Sequence, residues 1–133
     1  MTEARVEDGV PTTAGWFVTN ARGARWMHHE AGQEDFLVLR GEGILIIEGC
    51  ERALKAWDLV HCPPRTPHTI VASGAEPALI LAVGARKEKG SARYPVDAAA
   101  LRHGAGVPDT STSATDVYAG FGEPRPGPAP NIL

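Results

Sequence analysis

Cysteine is scarce in this chain: Cys50 and Cys62 are the only two in 133 residues, and the opening MTEARVEDGV is polar and acidic, without the apolar stretch of a secretory signal. The reducing cytoplasm is the expected compartment, and a disulfide between the two thiols is disfavoured there. Long hydrophobic runs are missing too. The strongest, residues 36–39, 44–47 and 78–83, fall far short of the ~20 residues of a membrane span, so no membrane partner is expected. An excess of positive charge is absent: 13 Lys plus Arg stand against 16 Asp plus Glu, for a net charge of -3. That field is too weak to hold a phosphate backbone, and nucleic acid is excluded as an expected partner. No internal repeat with a period of tens of residues occurs.

What remains describes one packed domain. At about 150 residues per domain there is room for one and not two, and 43% hydrophobic with 22% charged residues is a globular balance. Glycine and proline are plentiful, 15 and 11 residues, which favours many short strands and an all-β fold. Residues 1–14 read as a flexible arm and 15–86 as a β-barrel. Within it, strands are expected at 15–19, 25–29, 36–39, 44–47, 51–56, 59–62, 68–72 and 78–83. Residues 36–47 read as a hairpin around Gly41, Glu42 and Gly43. The charged run 86–89 leads into a linker, 87–122, with two short helices. The first spans 96–103, with Pro95 before it and Gly104 after it; the second follows Ser113, which with Asp116 resembles a capping box. Residues 123–133 form a proline-rich tail.

The chemistry concentrates in His28, His29, Glu34 and His68. On a strand, residues two apart share a face, so Met27 and His29 point one way and His28 the other. Glu34 begins the next strand after a turn, and His68 begins another after Pro63–Pro67. Two imidazoles and one carboxylate converging inside a barrel make a facial triad for a first-row divalent metal. With His29 facing inward, His28 lies outside; a slip of one residue in register would exchange them. His61 shares strand parity with Leu59 and is a candidate for the pocket wall. Cys50 and Cys62 read as an ordinary exposed thiol and a packing or lining residue.

The spacing from His29 through Glu34 to Gly41 resembles the first motif of the cupins. Trp57-Asp58 through Pro63 to His68 is similar to their second, with sixteen residues between the two. The wording QEDFLVL, AWDLVHCPP and VGAR resembles small actinobacterial single-domain cupins over roughly residues 27–86. The resemblance implies a double-stranded β-helix, or jelly roll. It also implies a divalent transition metal, Zn, Fe, Ni or Mn, held by His29, Glu34 and His68, with Met27, Arg65 and His61 around a small organic ligand. The chain departs from the pattern at Met27, where a first histidine is usual, at Trp57 and Arg65, where glycine is usual, and at Ala72, where asparagine is usual. Arg65 is placed to pair a carboxylate at the pocket rim. Two functions follow as expectations: a metal-dependent enzyme such as a dioxygenase or isomerase, or a non-catalytic small-molecule-binding module without metal. The strands that are apolar on both faces need a second cover, and a homodimer is expected to supply it.

Overall fold

A computed structural model of the chain describes residues 4–5, 12–19, 27–85 and 91–119. Its strands are β1 (Ala4–Arg5), β2 (Thr12–Thr19), β3 (Glu34–Arg40), β4 (Gly43–Ile47), β5 (Cys50–Leu54), β6 (Leu59–Cys62), β7 (His68–Ala72) and β8 (Ala78–Ala85). Two short helices follow, α1 (Ala98–Arg102) and α2 (Ala114–Val117). The strands form two antiparallel sheets, one in the order β1-β2-β8-β3-β6 and the other β5-β4-β7. This is the all-β jelly-roll fold expected from the sequence, with its short helical extension. No helix among the described residues is long and apolar enough to cross a membrane. The proline-rich tail, the charged run 86–89 and residues 25–26 of the second expected strand lie outside the described residues.

Alternation builds the interior. Phe36 and Val38 of β3 are buried with Val60 and Cys62 of β6 and Ile80 of β8, and they meet Leu45, Leu54, Ile70 and Ala72 from the facing sheet. The opposite face of the smaller sheet is covered as well. Ile46 and Val71, with Ile44 beside them, pack against Met27 and against Ala99, Ala100 and Ala105 of the α1 region. This explains why residues 44–47 carry no polar alternation: one face fills the barrel and the other receives the chain's own extension, so no second subunit is needed to cover it.

The expected hairpin does not form as such. β3 and β4 exist, but they belong to different sheets; β3 pairs with β6 and β8, and β4 with β5 and β7. Gly41 turns the chain across the core with φ of 84°. A β-carbon there would lie 2.9 Å from the Cα of Ala78, so both the dihedral and the close approach call for glycine. The register of β3 against β8 also shifts between Val38 and Arg40, which bends the strand where it leaves its sheet.

The first helix is shorter than the expected 96–103, because Asp97 caps it instead of lying in its first turn, whereas Ser113 caps the second as its spacing to Asp116 implies. Asp97 accepts from the Ala100 N–H at the start of α1, and Gly104 leaves the helix with φ of 66°. The Ser113 side chain accepts from the Asp116 N–H at the start of α2.

Candidate metal centre

Glu34, His68 and His28 reach the site from three different segments. Glu34 is the first residue of β3 and His68 the first of β7. His28 belongs to a two-residue bridged stretch beside β7: its N–H donates to the His68 carbonyl at 3.1 Å, and the His68 N–H donates back to the His28 carbonyl at 2.9 Å. Residues directly opposite in an antiparallel pair project to the same side. Because His68 faces the barrel interior, so does His28.

The donor atoms converge. Glu34 Oε2 lies 3.2 Å from His28 Nε2 and 3.2 Å from His68 Nε2, and the three ligand atoms lie within 4.8 Å of one another. The side chains are 14%, 9% and 3% exposed for Glu34, His28 and His68. Neither Glu34 Oε2 nor His68 Nε2 has an aligned hydrogen-bond partner despite the short distances.

His68 Nδ1 lies 2.9 Å from the Thr66 carbonyl, which only accepts, so Nδ1 carries a proton. In the neutral ring, Nε2 then turns a lone pair toward a carboxylate oxygen. That contact is repulsive until a positive charge enters it, either a second proton on the ring or a metal ion. Committing one ring nitrogen to a carbonyl while freeing the other is the usual support for a metal-ligating histidine. The donor set, two imidazoles and a carboxylate, suits a first-row divalent ion; the residues fit such a group.

The electrostatics agree. Burial alone would raise the Glu34 carboxyl, but the closeness of the His28 and His68 rings outweighs this and holds it well below the usual carboxylate range. Burial alone would lower His68; contact with the Cys62 thiol and the Glu34 carboxylate outweighs it and raises the imidazole to about 9. Cys62 is fully buried and stands opposite Glu34 in register, so its thiol lines the interior beside the ligand group. Strand parity leaves its face open; the Glu34 pairing settles it.

Other expected site residues stand elsewhere. His29 is not part of the converging group. It points away from His28 by alternation, its backbone pairs with Arg93 at 3.0 and 2.9 Å, and its pKa is lowered by burial and then by the fields of His28, Arg93, Arg65 and His68. The assignment that puts His29 inward and His28 outward is thus one residue out of register. Met27 does not border the converging group: it is fully buried on the other face, among Ile46, Val71 and the alanines of the α1 region. His61 does not line the pocket either. It pairs with Asp35 across β3 and β6, with Nδ1 2.6 Å from Asp35 Oδ1 on the outer face. Arg65 is exposed in the turn before His68 with φ of 63°, and its N–H donates to the Glu30 carbonyl at 2.7 Å. That bond ties the turn bearing His68 to the loop between His28 and Glu34.

Residues 16–84 match the family described as Cupin domain. Among curated proteins none matches the sequence. The structure is similar to that of a cupin-like protein from Thermotoga maritima, at 22% identity and TM-score 0.60, over 68% of this chain and 71% of that one. A Cupin 2 conserved barrel domain protein from Salinispora arenicola CNS-205 gives 24% identity and TM-score 0.55, covering 62% of this chain and 71% of that one. A polyketide cyclase from Streptomyces resistomycificus gives 19% identity and TM-score 0.51, covering 55% of this chain and 53% of that one.

Proposed function

Since the chain belongs to the cupin family, whose fold supports many chemistries, we propose that it binds a divalent transition metal through His28, Glu34 and His68, together with a small organic ligand. The observation that carries this reading is the contact between His68 Nε2 and Glu34 Oε2 at 3.2 Å, with Nδ1 of the same ring committed to Thr66. Either a proton on the His68 ring or a metal ion makes that contact favourable, and the metal reading takes the ion to replace that proton when it binds. A bound ion would supply Lewis acidity toward a carbonyl or enolate, or a place for dioxygen, as in an isomerase or dioxygenase. The protein's own part is to hold three donors in a buried interior and to leave further coordination positions to ligand or water.

Arg65, at the turn beside His68, would pair an anionic group of the ligand at the rim. Free thiols at Cys50 and Cys62 accord with a reducing cytoplasmic setting. The outer face of the larger sheet carries Leu37 and Leu81 beside the exposed Leu59 and Trp57, and we assign a homodimer contact to it.

Elemental analysis of purified protein tests the reading. About one equivalent of a transition metal per chain, lost from Glu34→Gln and His68→Ala while circular dichroism stays unchanged, is the expected result. A folded wild-type protein that stays metal-free when dialysed against Zn, Fe, Ni and Mn salts would instead describe the metal-free binding module.

A further inference from the structure

We propose that the segment after the barrel forms one wall of this site, and that Tyr94 is a positioning residue that holds the His28 imidazole in the orientation metal binding requires. This rests on the reading of His28, Glu34 and His68 as ligands.

His29 and Arg93 form an antiparallel bridge, so the residue opposite His28 is Tyr94, and the two side chains share a face. Their ring centroids stand 6.1 Å apart, while those of His28 and His68 stand 5.0 Å apart. The three rings thus form a row along the interior face: His68, His28, Tyr94. Tyr94 is buried and is held in turn. Its backbone pairs with Ser111 through bonds of 2.9 and 3.0 Å, and Tyr118 meets its ring edge-on at 5.9 Å.

The stretch bearing His28 depends on this support. On one side it has the His68 bridge and the Arg65 N–H donating to the Glu30 carbonyl at 2.7 Å. On the other, Met27 N–H donates to the Ala105 carbonyl at 2.7 Å, the His29–Arg93 pair adds two bonds, and Ala31 N–H donates to Ser91 Oγ at 3.1 Å. A stretch this short has no register of its own; the His68 bridge and residues 91–105 supply it together. Tyr94 adds what the backbone cannot, a planar ring packed beside one ligand ring at an interplanar angle of 33°. Support of a ligand ring by a neighbouring group is the kind of effect whose loss costs metal affinity without removing a ligand.

Cobalt(II) titration of the full chain, with affinity read by competition against a chromophoric chelator and geometry read from the visible ligand-field bands, provides the test. Tyr94→Phe should keep the wild-type affinity and spectrum. Tyr94→Leu, which fills the space without a planar ring, should weaken cobalt by about tenfold or more and shift the bands. Tyr94→Ala should do so more strongly if it folds, and Tyr94→Leu keeps the test decisive if it does not. Val107→Ala removes buried volume elsewhere in the same segment and should leave the spectrum unchanged. Equal losses in Val107→Ala and Tyr94→Leu, or wild-type behaviour in Tyr94→Leu, would overturn the proposal while the three-ligand reading stands. A loss in Tyr94→Phe as large as in Tyr94→Leu would overturn the ring's role. Failure of the wild-type chain to bind cobalt would remove the metal reading and this proposal together.

Discussion

His28 and His68 face each other as a bridged antiparallel pair, with tilted rings 5.0 Å apart inside the barrel. The pairing decides which of two adjacent histidines can reach a metal. His28→Ala is expected to lose stoichiometric metal at neutral pH, and His29→Ala to retain it. Adding a histidine at position 27 should not help. Met27→His would place an imidazole among Ile46, Val71 and Ala100, at a cost of roughly 1–3 kcal/mol for a buried polar group without a partner. Metal content per chain and thermal melting of the three variants check this; retention of metal by His28→Ala would refute the ligand set.

The charge coupling makes a prediction about pH. His68 is raised from its ordinary 6.5 to about 9, so the stability it contributes to metal-free protein is fully present below about 6.5 and is lost as pH rises through about 9. Glu34 is lowered from its ordinary 4.5, so its contribution is present above about 4.5 and is lost as pH falls through its folded-state value. The pair therefore supports the metal-free fold best between these ordinary values. Metal must displace the His68 proton, so affinity should climb about tenfold per pH unit until pH nears the raised value. Chelator competition at three pH values between 6 and 8 measures the slope; an affinity independent of pH would contradict the coupling.

Much of the fold is legible because its signals are local. Strand β6 at Leu59–Cys62, strand β7 at His68–Ala72 and the Ser113 cap follow from alternation and capping within a few residues. What fails is non-local. Two apolar strands flanking Gly41 look the same whether they pair with each other or cross between sheets, and only their distant partners decide. The two histidines show the same limit. Parity says that His28 and His29 face opposite ways, but which one faces in depends on the pairing with residue 68, forty residues away. Tyr94 carries no signal at all, because its place beside His28 comes from a bridge across more than sixty residues.

Gly41 offers a test of the crossover. Gly41→Ala puts an L-residue at φ of 84° and a β-carbon 2.9 Å from Ala78. The backbone alone should cost about 1–2 kcal/mol, and the contact adds to it. Gly49 also has a positive φ, 75°, but its β-carbon would meet nothing within 4 Å. Gly49→Ala should therefore lose only the backbone part. Denaturant midpoints with unchanged slopes separate the two; equal losses would mean that the approach to Ala78 imposes no constraint.

The outer face of the larger sheet leads to the last prediction. Leu37 stands opposite both Leu59 and Leu81, so the three share one face. Leu59 is 72% exposed, and Trp57 nearby is 70% exposed in a backbone conformation with φ of 74°. Sheet faces open to water normally carry polar residues at such positions. A two-fold contact would bury this patch against its own copy, so each substitution acts twice. Burying a leucine contributes about 1.5–3 kcal/mol, and Leu59→Asp should weaken dimerisation by roughly a hundredfold or more while leaving the melting profile of the monomer intact. Light scattering at micromolar concentration should give twice the chain mass for the wild type and the chain mass for Leu59→Asp. A monomeric wild type would end the dimer assignment, and a dimeric Leu59→Asp would move the contact to another face.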